Sequence, residues 1–272
     1  LLAMLFWVTG LLGTAYALSI HNLTLLYLFY GIIGGIGLGI GYITPVSTLV
    51  KYFPNRPGFA TGLAIMGFGF ASLITGPLMQ YLVAQVGLVD TFIILGVIYL
   101  VIMSASSLYL KAPQPKHPTR TTKDKSTMYV HTHGMLANDA MKTWQFGALW
   151  WVFFINITCG IGLLSLASPM AQEAIGMTPT AAASLVGIIG IFNGGGRIAW
   201  STISDYLGRA QTYIRFFIIQ IIAFYLLAET NSALTFQILI LLIITCYGGG
   251  FSCMPAYLAV LYGIRQLSTI HG

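Results

Sequence analysis

Long runs of apolar residues alternate with short polar connectors along almost the whole chain. A run of about twenty residues without charge is long enough to cross the hydrocarbon core of a bilayer as a helix. This pattern predicts eight membrane spans, near residues 1–20, 24–50, 58–87, 91–110, 144–168, 181–203, 212–228 and 233–262. The chain is therefore expected to be an all-α membrane protein that crosses the bilayer several times.

The composition of the 272 residues agrees with this pattern, since 57% are hydrophobic and only 7% are charged. Soluble domains carry about 25% charged residues, so a soluble globular protein is excluded. All three cysteines, Cys159, Cys246 and Cys253, fall inside predicted spans, which indicates burial rather than a disulfide framework. The sequence predicts no metal site and no cofactor.

Basic residues are distributed unevenly among the connectors. Every lysine and arginine except Arg197 falls on the connectors that share one side when the eight spans are threaded through a membrane, or in the first turn of a span next to them. The opposite connectors carry only Asp90, Glu173 and Glu229 as formal charges. Because cytoplasmic loops are rich in lysine and arginine, the basic side and both ends of the chain are predicted to be cytoplasmic, in a plasma membrane. Membrane topology thus explains the net charge of +6, and nucleic acid is not an expected partner.

A polar, basic and proline-bearing segment at residues 111–143 divides the spans into two groups of four. It is predicted to be a cytoplasmic linker between one helical bundle at 1–110 and another at 144–272. Its histidines are interpreted as solvated linker residues in preference to a metal site; they are His117, His131 and His133. The chain begins inside an apolar run, so we expect a fragment that is truncated at both ends.

Arg197 is the one basic residue deep inside an apolar span, within FNGGGRIAW at 192–200. It lies roughly 8 Å from the middle of that span, and an arginine near the bilayer centre costs about 3 kcal/mol to insert. One explanation is structural: the side chain extends to the headgroups or pairs with Asp205. However, a guanidinium matches a carboxylate, and no Asp or Glu lies deep in any predicted span. A bound anion is therefore the favoured partner.

Polar and aromatic residues at similar depth extend this candidate site. Asn193 precedes Arg197 by one helical turn, so both lie on one helix face. The other pocket candidates are Tyr42, Phe68, Asn156, Tyr247 and Phe251. Aromatic residues in membrane helices usually serve packing, but a tyrosine can also stack on a ligand and donate a hydrogen bond. Glycines at 194–196 and 248–250 would let a neighbouring helix or a ligand approach closely.

Three segments resemble one branch of the major facilitator superfamily, that of the oxalate:formate antiporter and the monocarboxylate transporters. They are GIGYITPVSTLVKYFPNRPGFATGLAIMGFG, SDYLGR and CYGGGFSCMPAYLAVLYG. The resemblance covers nearly the whole chain. It implies a twelve-helix fold in two six-helix bundles, with this chain similar to helices three to ten and the start of eleven. A monomer is expected.

The resemblance also implies roles for single residues. Arg197 matches an arginine in helix eight that contacts the substrate carboxylate, and Asn193 matches an asparagine of lactate-transporting bacterial relatives. Animal relatives have an aspartate there that is thought to take part in proton coupling, so this chain departs from their pattern. Tyr42 and Tyr247 match aromatic pocket positions, and Phe68 is a poorer match where a tyrosine can occur. A cooperating lysine in helix eleven would lie beyond the chain.

The turn from Ser201 to Arg209 resembles the gating signature G-x-x-x-D-R-x-G-R of the superfamily, with Ser201 and Tyr206 replacing a glycine and an arginine. Asp205 and Arg209 remain, four residues apart, a spacing that allows an ion pair on a helix. The resemblance implies a latch at the cytoplasmic gate, whereas a solvated turn is the structural alternative. The implied gating residues are Asp205, Arg209, Lys51 and Arg56.

Together these features predict a secondary transporter of small carboxylates that works by alternating access. Anion exchange and symport with a co-transported proton both stay open, as does the choice among oxalate, formate, lactate and pyruvate. Alternatives are a transporter of another small organic solute, or a membrane protein without transport activity in which Arg197 is structural. A membrane enzyme is disfavoured because the spans hold no cluster of His, Asp and Glu. A channel is disfavoured because one fixed charge beside glycines suits a binding site better than a ring-lined pore.

Overall fold

The computed structural model describes residues 1–110 and 134–271, and over these residues the chain is helical without any strand. In chain order the helices are α1 (Leu2–Ser19), α2 (Leu23–Tyr52), α3 (Pro57–Tyr109), α4 (Ala137–Ala140), α5 (Trp144–Glu173), α6 (Pro179–Leu207), α7 (Arg209–Glu229), α8 (Ala233–Tyr262) and α9 (Leu267–His271). All except the short α4 and α9 are long and apolar enough to cross a membrane. The prediction of an all-α protein with several spans is confirmed.

The predicted third and fourth spans are joined in α3, which has 53 residues. At about 1.5 Å per residue a continuous helix of this length would extend roughly 80 Å, far more than the 30 Å hydrocarbon core of a bilayer, but α3 consists of two helices joined at a kink. It is interrupted at Gly87, where φ is 82° and ψ is 173°, a conformation that glycine adopts because it has no Cβ. The predicted boundary between spans 58–87 and 91–110 therefore coincides with this break, and residues 88–90 are helical rather than a separate loop. Each part of α3 is long enough to cross a membrane.

Only the last part of the predicted linker falls within the described residues. It holds α4 and attaches to the end of α8, because the Met135 amide donates to the Tyr262 carbonyl (2.9 Å). The Ala137 amide donates to Oε1 of Gln266, beyond the end of α8, at 2.6 Å. The three linker histidines, His117, His131 and His133, lie outside the described residues.

The described residues form two compact units, one of residues 1–48 and 74–110 and the other of residues 49–73 and 134–271. Both units contain parts of α2 and α3, so they do not coincide with the predicted bundles 1–110 and 144–272. That assignment of spans to bundles stays a prediction.

In the first unit, α1 packs against α2 through small residues. A Cβ on Gly10 would lie 2.7 Å from the Cα of Gly34, so the two backbones are in contact. Here α2 is wound as a π-helix over Tyr27–Gly34. The rings of Trp7 and Tyr99 meet edge to face at 6.0 Å, which joins α1 to the second part of α3.

In the second unit, α8 is the central helix and contacts α5, α6 and α7. It is the most buried of the long helices in the described part of the chain. A hydrogen bond from Trp200 Nε1 to Thr245 Oγ1, at 3.2 Å, ties α6 to α8. The glycines of α8 serve the predicted close approach, since a Cβ on Gly249 would lie 2.6 Å from Trp200 Cβ. The packing of α8 against α6 therefore determines where the residues of the candidate site lie.

Candidate functional site

Arg197 lies in the interior of α6 and is only 4% exposed. Its Nε donates a hydrogen bond to Oδ1 of Asn193 at 3.2 Å, and its Cζ lies 5.1 Å from the centre of the Phe251 ring. The Asn193 bond uses Nε, not the two terminal nitrogens that form the planar fork for a carboxylate. Both contacts orient the guanidinium, and its burial disagrees with a side chain that extends into headgroup water.

The α8 helix passes close to the Arg197 side chain. A Cβ on Gly248 would lie 2.8 Å from Oδ1 of Asn193 and 3.2 Å from Cγ of Arg197, so a glycine is needed at this crossing. One turn later, Phe251 packs edge to face against Phe153 at 5.2 Å. The ring over the guanidinium is thus fixed by a neighbour on α5.

The remaining pocket candidates differ in their surroundings. Tyr247 is buried and meets Phe251 edge to face at 6.1 Å, while Asn156 is fully buried against Gly250. Within the described residues, neither polar side-chain atom of Asn156 has a hydrogen-bond partner. Phe68 is 44% exposed, and Tyr42 is half-buried in the first compact unit. The structure therefore brings Asn193 and Phe251 into contact with Arg197 and places Tyr247 against Phe251. The roles of all these residues in a substrate pocket stay predictions.

The first part of α3 crosses α6 beside the same arginine. A Cβ on Gly62 would lie 2.8 Å from the Arg197 carbonyl oxygen, and one on Gly69 would lie 2.9 Å from the Asn193 carbonyl carbon. Glycines therefore let the α3 backbone touch α6 along two turns. The glycine pattern predicted close packing but not the helix that provides it.

The triple glycine before Arg197 serves two contacts on different sides of α6. A Cβ on Gly194 would lie 2.8 Å from Cδ1 of Phe70 on α3, and one on Gly196 would lie 2.7 Å from the Cα of Thr245 on α8. A Cβ on Gly195 has no other atom within 4 Å. Two of the three glycines therefore permit helix contacts, and Gly195 does not take part in one.

This difference predicts opposite effects of two adjacent alanine substitutions. Gly196→Ala is expected to destabilise the protein by about 1–3 kcal/mol, because the added methyl group meets backbone that has to shift. Gly195→Ala is expected to stabilise it by about 0.5–1 kcal/mol, because alanine favours the helix over glycine. Thermal unfolding of the two purified full-length variants in one detergent measures both. Equal melting temperatures for the pair would contradict the assigned contacts.

The predicted ion pair between Asp205 and Arg209 is present and buried, with side chains 7% and 1% exposed. The carboxylate also accepts the backbone N–H groups of Gly58 and Phe59, each at 2.9 Å, at the start of α3. A carboxylate at a helix N-terminus satisfies amides that have no partner within the helix. The solvated turn is therefore excluded: Asp205 joins the end of α6 to both α7 and α3.

Two serines between Arg197 and Asp205 were not among the predicted site residues. Ser201 Oγ donates to the Arg197 carbonyl, and Ser204 Oγ donates to the Ser201 carbonyl at 2.7 Å and accepts from Arg209. Both serines are fully buried. The sequence shows that Ser201 lies one helical turn after Arg197. A serine on a helix face does not by itself indicate that it bonds to a main-chain carbonyl or to an arginine of the next helix.

The other two predicted gating residues have different surroundings. Lys51 and Arg56 lie near the end of α2 and before α3, and both are exposed. Neither forms a salt bridge with an acidic residue of the described ranges. Their gating role stays a prediction.

The family of the chain is shown by sequence comparison. The model of the Major Facilitator Superfamily matches residues 1–269. The chain belongs to the major facilitator superfamily. Members of this superfamily are membrane transporters rather than enzymes, which agrees with the absence of a predicted catalytic cluster. The match extends over both compact units and includes the whole candidate site.

Several transport proteins are similar to this chain. It is 29% identical over 266 residues to the uncharacterized MFS-type transporter YhjX of Escherichia coli, covering 96% of the chain and 64% of that protein. It is 24% identical over 265 residues to the oxalate:formate antiporter of Oxalobacter formigenes (96% and 61%). It is 21% identical over 313 residues to the apicoplast pyruvate carrier 1 of Toxoplasma gondii (93% and 57%). The chain thus spans less than two thirds of the length of these relatives.

Proposed function

We propose that the full-length protein is a secondary active transporter of small carboxylate anions and that Arg197 binds the carboxylate. The burial and orientation of Arg197 carry this proposal. An arginine inside an apolar helix is costly, and here its guanidinium is held by Asn193 Oδ1 and the Phe251 ring. Such a preorganised fork suits bidentate binding of a planar anion.

The relatives support the same substrate class. One is an oxalate:formate antiporter and another a pyruvate carrier. Oxalate, formate and pyruvate are all small carboxylates. The aromatic rings of Tyr247 and Phe251 would form an apolar wall beside the anion. Such a wall strengthens the electrostatic interaction by excluding water.

Transport would proceed by alternating access, with the buried Asp205–Arg209 pair as a latch at the cytoplasmic gate. The latch bonds the end of α6 to the start of α3, so its opening would separate two helices on one side of the membrane. We assign that side to the cytoplasm because the basic connectors lie there. Lys51 and Arg56 sit near the same end of α3 and belong to this proposed gate. The protein would act as a monomer in the plasma membrane.

Counterflow by the full-length protein in proteoliposomes tests the proposal. Vesicles loaded with an unlabelled carboxylate are expected to accumulate label from at least one of oxalate, formate, lactate and pyruvate, and not from the neutral solute glycerol. An imposed pH gradient separates the two modes, because proton symport responds to it and strict anion exchange does not. Counterflow of glycerol without any counterflow of the four carboxylates would exclude the proposed substrate class.

A further inference from the structure

The main-chain carbonyl of Arg197, which is part of the α6 backbone, also accepts hydrogen bonds from two side-chain hydroxyls. Ser201 Oγ donates to it from one turn further along α6. Ser252 Oγ donates to it from α8, at 2.7 Å. Both serines are fully buried, so water does not compete for these bonds. The carbonyl is thus fixed both within its own helix and from a neighbouring one.

The Ser252 bond sets the register between two helices. A hydroxyl has one proton to donate, and Ser252 has a second acceptor in its own helix, the Gly249 carbonyl at 3.1 Å. Without the bond to the Arg197 carbonyl, the Ser252 hydroxyl could still donate to the Gly249 carbonyl. The bond to Arg197 therefore adds little to avoiding a buried unpaired group, and its contribution is to hold α8 at one position along α6.

The same turn of α8 also touches the Arg197 side chain. A Cβ on Gly248 would lie 3.2 Å from Cγ of Arg197, and the centre of the Phe251 ring lies 5.1 Å from Cζ. Residues 248–252 therefore lie along the main chain, the stem and the guanidinium of one arginine. A slip of α8 by about 1 Å would change the position of the guanidinium relative to the ring, and displacements of this size are enough to weaken binding strongly.

We propose that Ser252 is a positioning residue for the anion site: its hydroxyl fixes the Arg197 main chain to α8, so that the guanidinium keeps one binding geometry. This inference rests on the proposed function of Arg197. Ser252 does not touch the substrate; it acts through the arginine.

The test is the substrate dependence of carboxylate uptake by the full-length Ser252→Ala variant in proteoliposomes, with whichever carboxylate supports counterflow. The KM is expected to rise about fivefold or more while Vmax changes less than about twofold, because binding geometry is lost and the transport cycle is not. Ser252→Cys keeps a weak hydrogen-bond donor. Its KM is expected to lie between the KM of the unaltered protein and that of Ser252→Ala. This second variant covers the case in which the alanine variant does not fold.

Thr245→Val is the matched control. It removes a different side-chain hydrogen bond between α6 and α8, the one that Trp200 Nε1 donates to Thr245 Oγ1 two turns before Ser252. Its KM is expected to stay near that of the unaltered protein. Equal KM values for Ser252→Ala and the unaltered protein, or equal increases in Ser252→Ala and Thr245→Val, would overturn the positioning role.

The Arg197→Ala variant separates this inference from the proposed function. Loss of uptake in Arg197→Ala with an unchanged KM in Ser252→Ala overturns the positioning role alone. Normal uptake in Arg197→Ala overturns the anion site and the positioning role together.

Discussion

Carboxylate uptake by the full-length Arg197→Ala protein is expected to fall by at least about 100-fold. Replacement removes the proposed charge-assisted bidentate contact from a buried site, where such contacts are roughly twice as strong as neutral hydrogen bonds. A loss of about 3 kcal/mol corresponds to that factor. Arg197→Lys is expected to fail as well. A lysine is a point charge that lacks both the fork and the Nε that donates to Asn193. Initial uptake rates at matched amounts of reconstituted protein measure both effects.

Arg215→Ala is the control for the loss of a positive charge. Arg215 lies on α7 in the same compact unit, but it is exposed and its Nη1 donates only to the Gln211 carbonyl in the described structure, at 3.3 Å. Carboxylate uptake by the Arg215→Ala protein is expected to stay within about twofold of that of the unaltered protein, because solvent and salt screen an exposed charge from the site. The assignment of the anion to Arg197 fails when Arg197→Ala inserts into the membrane and transports at the normal rate.

The spans could be predicted from the sequence because each is a local property of about twenty residues. Apolar length alone determines whether a segment can lie in lipid, and all seven long helices fall on predicted spans. The same apolar lengths place the boundary between the third and fourth spans at residues 87–91, where α3 breaks at Gly87. They do not give the form of the break, because the residues on both sides are helical and the change occurs at the φ of one residue.

The contacts of the candidate site are likewise of two kinds, those that the sequence predicts and those that depend on how the helices pack. Arg197 and Asn193 contact each other because they are four residues apart on one helix, a relation that the sequence displays. The contacts of Ser252 and Gly62 with the Arg197 carbonyl depend on how α8 and α3 cross α6. Such crossings are determined by side-chain packing over whole helices, so no short motif contains them.

Glycine illustrates the limit of pattern reasoning. The glycines of α2 differ from one another in their surroundings. In the described structure, a Cβ on Gly37 would lie 2.4 Å from the backbone nitrogen of Trp7 on α1, whereas one on Gly31, Gly35 or Gly39 would meet no other atom within 4 Å. A small residue permits close approach, but the partner helix has to be there.

Asp205→Ala is expected to destabilise the full-length protein by about 3–5 kcal/mol, because it leaves a buried guanidinium without its counter-ion. The substitution also removes the acceptor of the Gly58 and Phe59 amides at the start of α3. The double variant Asp205→Ala/Arg209→Met is expected to recover part of this loss. Removing both charges of a buried pair is far less costly than removing one, although the two amides stay without their acceptor. Thermal unfolding in detergent gives the ranking of the variants.

Asp139→Ala is the matched comparison, because Asp139 also pairs with a nearby cation on its own segment. Its contact with Lys142 spans 4.0 Å between side chains that are 58% and 79% exposed, and exposed pairs contribute only about 0–1 kcal/mol. A melting temperature of Asp205→Ala as high as that of Asp139→Ala would show that the latch does not hold α6 to α3. Recovery in the double variant assigns the loss mainly to the unpaired charge of Arg209. A double variant as unstable as Asp205→Ala assigns it instead to the start of α3, so the two contacts of one carboxylate are separated by a single series of measurements.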